Sequence, residues 1–220
     1  MDLHMSTKSS TFAHKLIGTR LLKEKTMKIG IYGGSFNPVH FGHIGLVKWT
    51  LEHTDLDEIW MLVSPKSPHK TNRADLDSNY PQRLAAAREA MAKVEVPGKK
   101  IVVSDFELGL PIPSYTANTL RELQKAYPEH TFSLIIGEDN WKVFDKWREY
   151  EYILANYRIF IYPRHSASEE EKTIHTVSAD CSRLCRDKNC QRPTVNYLSS
   201  APLFDISSTE IRKKLQDSHI

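Results

Sequence analysis

Gly33-Gly34-Ser35-Phe36-Asn37-Pro38-Val39-His40-Phe41-Gly42-His43 decides the fold. Upstream lies the apolar run Lys28-Ile29-Gly30-Ile31-Tyr32, and downstream Ile44, Val47 and Leu51 recur at helical spacing. The pattern predicts a buried strand, a turn and an amphipathic helix. Gly33 and Gly34 are expected in the turn, where positive φ and close approach of a ligand suit a residue without Cβ. The first turn of the helix offers free N–H groups and the positive end of its dipole, which suits phosphate. His40 and His43 stand at its mouth, and each imidazole can donate a hydrogen bond to a phosphate oxygen. The plainer alternative is a helix start whose histidines are merely exposed. Neither GxGxxG nor GxxxxGK[ST] occurs, so neither a dehydrogenase nor a P-loop kinase is indicated.

Working outward, Glu58 to Val63 reads as a second buried strand. It runs into a loop of two prolines in which Lys66, His69 and Lys70 offer a second anion contact or a solvated surface. A helix is predicted from Pro81, with Leu84, Ala87, Met91 and Val94 on one stripe and a stop at Pro97-Gly98. Ile101 to Ser104 forms a strand. Ser114 or Thr116 is then placed to cap a helix carrying Leu120, Leu123 and Tyr127. Thr131 to Ile136 is a further buried strand running into Gly137-Glu138-Asp139-Asn140, at the kind of strand end where open α/β sheets bind ligands. There Asp139 can accept hydrogen bonds from ribose hydroxyls or cap the segment Trp141 to Phe144, and the two roles are compatible. Trp141, Phe144 and Trp147 read as core aromatics. Arg158 to Tyr162 is the next strand. Near the end, Ile206-Ser207-Ser208-Thr209-Glu210-Ile211-Arg212 reads as a capping box with Ser207 as N-cap, adding hydroxyls and a guanidinium suited to phosphate. Strands alternating with helices predict an α/β fold, a Rossmann-like three-layer α/β/α sandwich with a mostly parallel sheet.

The composition sets bounds. With 220 residues, 40% of them hydrophobic, one sizeable core is affordable, and a single domain over 27–220 is expected, with 1–26 a mobile extension and 164–193 a surface insert. Net charge +3 and pI about 8.6 suit anionic small molecules, and no basic run is long enough to grip nucleic acid. No apolar stretch approaches the ~20 residues of a membrane span, and Met1 to Thr26 lacks a signal-peptide apolar region. A cytoplasmic protein is expected. Cys181, Cys185 and Cys190 are odd in number, as befits reduced thiols. Without paired CxxC knuckles a zinc site is the lesser reading, and no resident metal is assigned.

His40-Phe41-Gly42-His43 together with Ile206 to Arg212 resembles the HxGH and ISSTxIR signatures of the nucleotidyltransferase superfamily. The stretches Pro68-His69-Lys70, Ser114-Tyr115-Thr116, Gly137-x-Asp139 and Trp147 are similar to those of bacterial nicotinate-nucleotide adenylyltransferases. The resemblance implies that ATP and nicotinate mononucleotide are joined to nicotinate adenine dinucleotide with release of pyrophosphate, Mg²⁺ bridging the ATP phosphates. His40, His43 and Arg212 would hold those phosphates. The backbone of Gly33, Gly34, Ser35 and Phe36 and of Ile206 would line the nucleotide site, with Ser208 and Thr209 on phosphate and Gly137 and Asp139 at the ribose. Thr116 and the main chain near Trp147 would receive the pyridine carboxylate, Trp147 would stack on the ring, and His69 and Lys70 would add anion contacts. Asn37, where many relatives carry aspartate, and Arg148, where tyrosine is frequent, depart from the pattern. The alternatives are the same transfer to nicotinamide mononucleotide or phosphopantetheine, or a silent nucleotide-binding protein. A homo-oligomer is compatible with all of them.

Overall fold

The computed structural model describes residues 25–65, 79–163, 195–204 and 206–217. Its strands are β1 (Lys28–Gly34), β2 (Glu58–Val63), β3 (Lys100–Ser104), β4 (Thr131–Gly137), β5 (Arg158–Tyr162) and β6 (Val195–Tyr197). They form one sheet in the order β3-β2-β1-β4-β5-β6, and all five neighbouring pairs are parallel. The described helices are α1 (Phe41–His53), α2 (Tyr80–Ala92), α3 (Thr116–Ala126), α4 (Glu138–Trp141), α5 (Tyr150–Asn156) and α6 (Ser208–Asp217). The sheet is thus wholly parallel where a mostly parallel one was expected.

Parallel strands covered on both faces must be apolar at nearly every position, which is why β1, β2, β4 and β5 read as unbroken apolar runs. Tyr32, Ile59, Met61, Ile135 and Phe160 pack on one face with Leu46, Val47 and Leu51 of α1 and Leu84, Ala87 and Met91 of α2. Ile29, Ile31, Leu134, Ile136 and Ile159 face the other side, against Leu120 and Leu123 of α3, Phe144 of the 3-10 turn Phe144–Lys146 and Ile153 of α5. Gly30 is the gap in β1 that permits this: a Cβ there would stand 2.6 Å from Ile135 Cδ1 and 2.7 Å from Leu56 Cδ1.

The strand order reverses between β1 and β4, whose neighbours on either side lead away in opposite directions. At such a switch point the loops after the two central strands diverge and leave a crevice above their C-terminal ends. The Gly33-to-His43 segment follows β1 and Gly137 closes β4, so both sequence candidates rise from this crevice.

Candidate active site

Gly33 and Gly34 lie in β1 itself, paired with Leu62 and Val63 of β2, and neither takes positive φ. The pairing continues to the Ser64 N–H, which donates to the Gly34 carbonyl at 2.8 Å, so the chain reverses only at Ser35 and beyond. The left-handed position falls instead on Phe36, at φ 44°. That conformation costs a bulky residue roughly 1–3 kcal/mol. Burial of its ring offsets this by about 2 kcal/mol, the ring packing edge-on to Tyr32 at 5.3 Å. Gly34 makes room for it, since a Cβ there would meet Phe36 Cζ at 2.9 Å.

His40 is the N-cap of α1 and His43 its third residue. Both are 8% exposed, which removes the reading as loose surface histidines. The His40 backbone N–H donates to His43 Nδ1 at 3.2 Å, and the two rings lie 3.7 Å apart between centroids. An Nδ1 that accepts carries no proton, so neutral His43 holds its hydrogen on Nε2, the other edge of the ring. The His40 carbonyl accepts from the His43 and Ile44 amides. By helix geometry the amides of Phe41 and Gly42 have no intrahelical acceptor. One end of α1 thus presents two backbone donors beside an imidazole donor.

The second helix start closes on the first. The Ser207 amide and hydroxyl donate to Glu210 Oε2 at 3.0 and 2.9 Å, and the Glu210 amide donates to Ser207 Oγ at 3.2 Å, the capping box read in the sequence. From the α6 so fixed, Ser208 Oγ donates to the Pro38 carbonyl at 2.9 Å. The Arg212 guanidinium donates to the Asn37 carbonyl and, at 3.0 Å, to Thr209 Oγ1. Glycines of α1 allow this approach. A Cβ on Gly42 would meet Ile206 Cγ2 at 3.1 Å, and one on Gly45 would meet Phe204 Cζ at 2.1 Å. Near Phe204 lies the Tyr162 ring, its centroid 6.4 Å away and nearly parallel. Burial pushes the Tyr162 hydroxyl up to about 12, so it stays protonated and donates to the Pro202 carbonyl at 2.6 Å. His40, His43, Tyr162, Phe204 and Ile206 together border a narrow crevice.

On the α3 side of the switch point opens a cleft of about 570 Å³. Its floor is the ends of β1 and β4, and its walls include Ser64, Thr116, Asn140 and Trp147. The α3 N-cap is Tyr115, with no side-chain cap bond, so neither Ser114 nor Thr116 caps that helix. Thr116 is instead its first residue, on the cleft wall. Trp147 is half-buried, backed by Phe144 at 5.2 Å, which moves it from the core to the cleft lining while Phe144 stays in the core. Arg148 places its guanidinium 4.8 Å from the Tyr115 ring. Asp139 is no N-cap: α4 begins after Gly137 and places Asp139 in its first turn, where it is exposed. The extended backbone of Gly137, at ψ 156°, takes the capping position. Of that turn, Asn140 lines the cleft.

Two functional-looking residues were not legible in the pattern. Arg83, only 3% exposed, donates to the Ser35 carbonyl at 2.5 Å, the Ser64 carbonyl at 3.0 Å and Asn79 Oδ1 at 2.8 Å, tying the loops after β1 and β2 to the start of α2. Glu107, 5% exposed in a turn of 3-10 helix, lines the cleft and accepts from Thr119 Oγ1 at 2.8 Å. Burial pushes its carboxyl up, against the lowering pull of the Ser64, Thr119 and Ser114 hydroxyls. A charged residue beside a hydrophobic stripe signals a solvated face in sequence, and nothing local distinguishes these two. His69 and Lys70, the cysteines, residues 1–24 of the N-terminal extension and the 164–193 insert lie outside the described residues.

A cytidylyltransferase-like family profile matches residues 31–214. A Bacteroides fragilis (strain YCH46) protein named "Probable nicotinate-nucleotide adenylyltransferase" is 41% identical over 189 residues, 86% of this chain and 82% of its own. A Flavobacterium johnsoniae protein of the same name is 41% identical over 191 residues, 87% of this chain and 88% of its own. Among solved structures, Plasmodium falciparum nicotinic acid mononucleotide adenylyltransferase complexed with NaAD superposes with a TM-score of 0.65. It covers 85% of this chain and 83% of that one, and at 20% identity the likeness speaks to the fold.

Proposed function

The chain belongs to the cytidylyltransferase-like family, within it to the nicotinate-nucleotide adenylyltransferases, and from that premise we propose how its residues carry the transfer. The reaction joins the adenylyl group of ATP to nicotinate mononucleotide in NAD biosynthesis. A phosphate oxygen of the mononucleotide attacks the α-phosphorus of ATP, a new P–O bond forms, and the bond to the bridging oxygen of the β-phosphate breaks, its electron pair leaving with pyrophosphate. No protein nucleophile is required. Positioning and charge stabilisation carry the rate.

The observation that carries this reading is the apposition of two helix starts, with Ser208 bonded to Pro38 and Arg212 to Asn37. In it His43 Nε2, His40, the Phe41 and Gly42 amides and the Arg212 guanidinium gather the triphosphate charge. Ser208 and Thr209 contact phosphate, and the backbone of Gly33 to Phe36 and of Ile206 flanks the nucleotide. Gly137 and Asp139 serve the ribose. The cleft takes the acceptor: Thr116 and the amides near Trp147 receive the pyridine carboxylate while the Trp147 ring stacks on the pyridine. His69 and Lys70 add charge for its phosphate. Among the described residues no three His, Cys, Asp or Glu side chains come together, and Mg²⁺ is in general carried largely by substrate phosphates and water rather than by a cage of protein ligands. Mg²⁺ would arrive with ATP and supply neutralisation of its phosphate charge. The same reading puts the protein in the cytoplasm with its substrates; no described helix is long and apolar enough to cross a membrane.

The test is His43→Ala with pyrophosphate release followed under saturating ATP. Loss of one such donor costs ~100–1,000-fold in turnover. Near wild-type turnover in the folded variant would remove His43 from the mechanism. Initial rates with nicotinate mononucleotide, nicotinamide mononucleotide and phosphopantetheine test the acceptor, and a preference for either of the last two refutes the assignment.

A further inference from the structure

Two buried polar atoms on the cleft wall have no hydrogen-bond partner within bonding geometry: Glu107 Oε2 and Ser114 Oγ. Native proteins rarely leave such atoms unpaired, and a functional role is one of the reasons for those that are. They stand together, since the hydroxyls of Ser114, Ser64 and Thr119 all face the Glu107 carboxyl. Those hydroxyls come from three separate stretches, the loop after β2, the approach to α3 and α3 itself, and all three residues line the cleft with Glu107. Glu107 Oε1 is already satisfied by Thr119 Oγ1 at 2.8 Å. The oxygen left over is Oε2.

We propose that Glu107 is a specificity-determining residue, which by hydrogen bonding to the serine hydroxyls beside it turns one of their hydrogens toward the cleft and so favours a pyridine carboxylate over a carboxamide. The logic is donor counting. An ionised Glu107 only accepts, so every neighbouring hydroxyl spends its hydrogen on the carboxylate and shows the cleft lone pairs, a surface that suits a carboxamide NH₂. A neutral Glu107 donates from Oε2 to Ser114 or Ser64. That serine oxygen then acts as acceptor and directs its own hydrogen at the ligand, a surface that suits a carboxylate. Burial favours the neutral form. Charge points the same way, because an ionised Glu107 lining the cleft would repel an anionic pyridine.

The inference rests on the proposed function and adds a selecting group to it. The experiment measures kcat/KM for nicotinate and nicotinamide mononucleotides in wild type, Glu107→Gln and Glu107→Leu, with ATP binding by calorimetry as the check on folding. Glutamine reproduces the neutral acid, its C=O accepting from Thr119 and its NH₂ donating to a serine. The nicotinate-to-nicotinamide ratio in Glu107→Gln therefore stays within about threefold of wild type, while Glu107→Leu loses about tenfold of it, one net hydrogen bond. A residue that merely supports the fold would lower both rates and leave the ratio. If Glu107→Leu does not fold, Ser64→Ala and Ser114→Ala replace it, and at least one must lower the ratio by the same order. An unchanged ratio in Glu107→Leu, an equal collapse in Glu107→Gln, or no effect from either serine overturns the inference alone. A wild type that uses neither acceptor, or prefers nicotinamide, overturns the proposed function and the inference with it.

Discussion

Gly45→Ala puts the apposition of the two helix starts to the test. A Cβ at residue 45 would stand 2.1 Å from Phe204 Cζ and 2.4 Å from Cε2. Carbon atoms in contact need ~3.5 Å, so the ring must retreat by about 1.4 Å. Its room is limited by the nearly parallel Tyr162 ring, 6.4 Å away between centroids, whose hydroxyl donates to the Pro202 carbonyl two residues upstream. The displacement therefore passes toward Ile206 and Ser207 and lifts Ser208 and Arg212 from the Pro38 and Asn37 carbonyls. Stability changes little, since overpacking of roughly 1–3 kcal/mol is partly offset by the ~1 kcal/mol that alanine gains over glycine inside a helix. Catalysis is more sensitive, as a misplacement near 1 Å costs on the order of 100-fold. The expected result is a folded variant with a melting temperature within a few degrees of wild type and kcat/KM for ATP down by about two orders of magnitude. Acceptor binding measured alone stays unchanged. Phe204→Leu in the same chain removes the clash, so the double variant recovers activity beyond the sum of the singles. Wild-type kcat/KM for ATP in Gly45→Ala, or strict additivity in the cycle, would show that the contact does not set the spacing of the two motifs.

Three further outcomes follow from the geometry. Arg83→Ala removes the donor that the Ser35 and Ser64 carbonyls share and is expected to cost on the order of 3 kcal/mol in a urea titration, with Arg83→Lys intermediate because it keeps the charge and loses the fork. Glu107 sits above the ordinary glutamate value of 4.5 when folded, so the native state holds a proton that the unfolded chain releases between the two values, and stability falls as pH rises through that window. The melting temperature of Glu107→Gln minus that of wild type must then grow from pH 4 to pH 7.5, and a constant difference would contradict the buried neutral acid. Ser207→Ala removes two of the capping-box bonds and should cost ~1 kcal/mol, with hydrogen exchange accelerated in the first turn of α6 and not in α1.

The succession of strands and helices was legible because a parallel sheet covered on both faces writes itself as apolar runs of strand length separated by helical stripes. Both helix starts were legible too, since HxGH and the Ser207–Glu210 box act through contacts three residues apart. What could not be read locally was decided across the fold. Whether Gly33 and Gly34 turn or pair depended on Leu62 and Val63 of a neighbouring strand, and the left-handed position passed to Phe36, whose ring had a place to go. The cap of α3 fell on Tyr115, and Asp139 passed the cap of α4 to Gly137, because strand ends and packing fix where a helix starts more tightly than a hydroxyl's preference does.

By itself the sequence determined the layers of the fold, the two helix starts proposed to hold phosphate and the family's chemistry, all of which depend on residues close together along the chain. Only the tertiary structure decided that Trp147 lines a cleft while Phe144 fills the core, that Gly42 and Gly45 are spacers for Ile206 and Phe204, and that Arg83 and Glu107 matter. Apart from Asn79, four residues before Arg83, their partners lie 12 to 48 residues away in the hydrogen bonds described, and burial of a charged side chain is a property of what surrounds it in space.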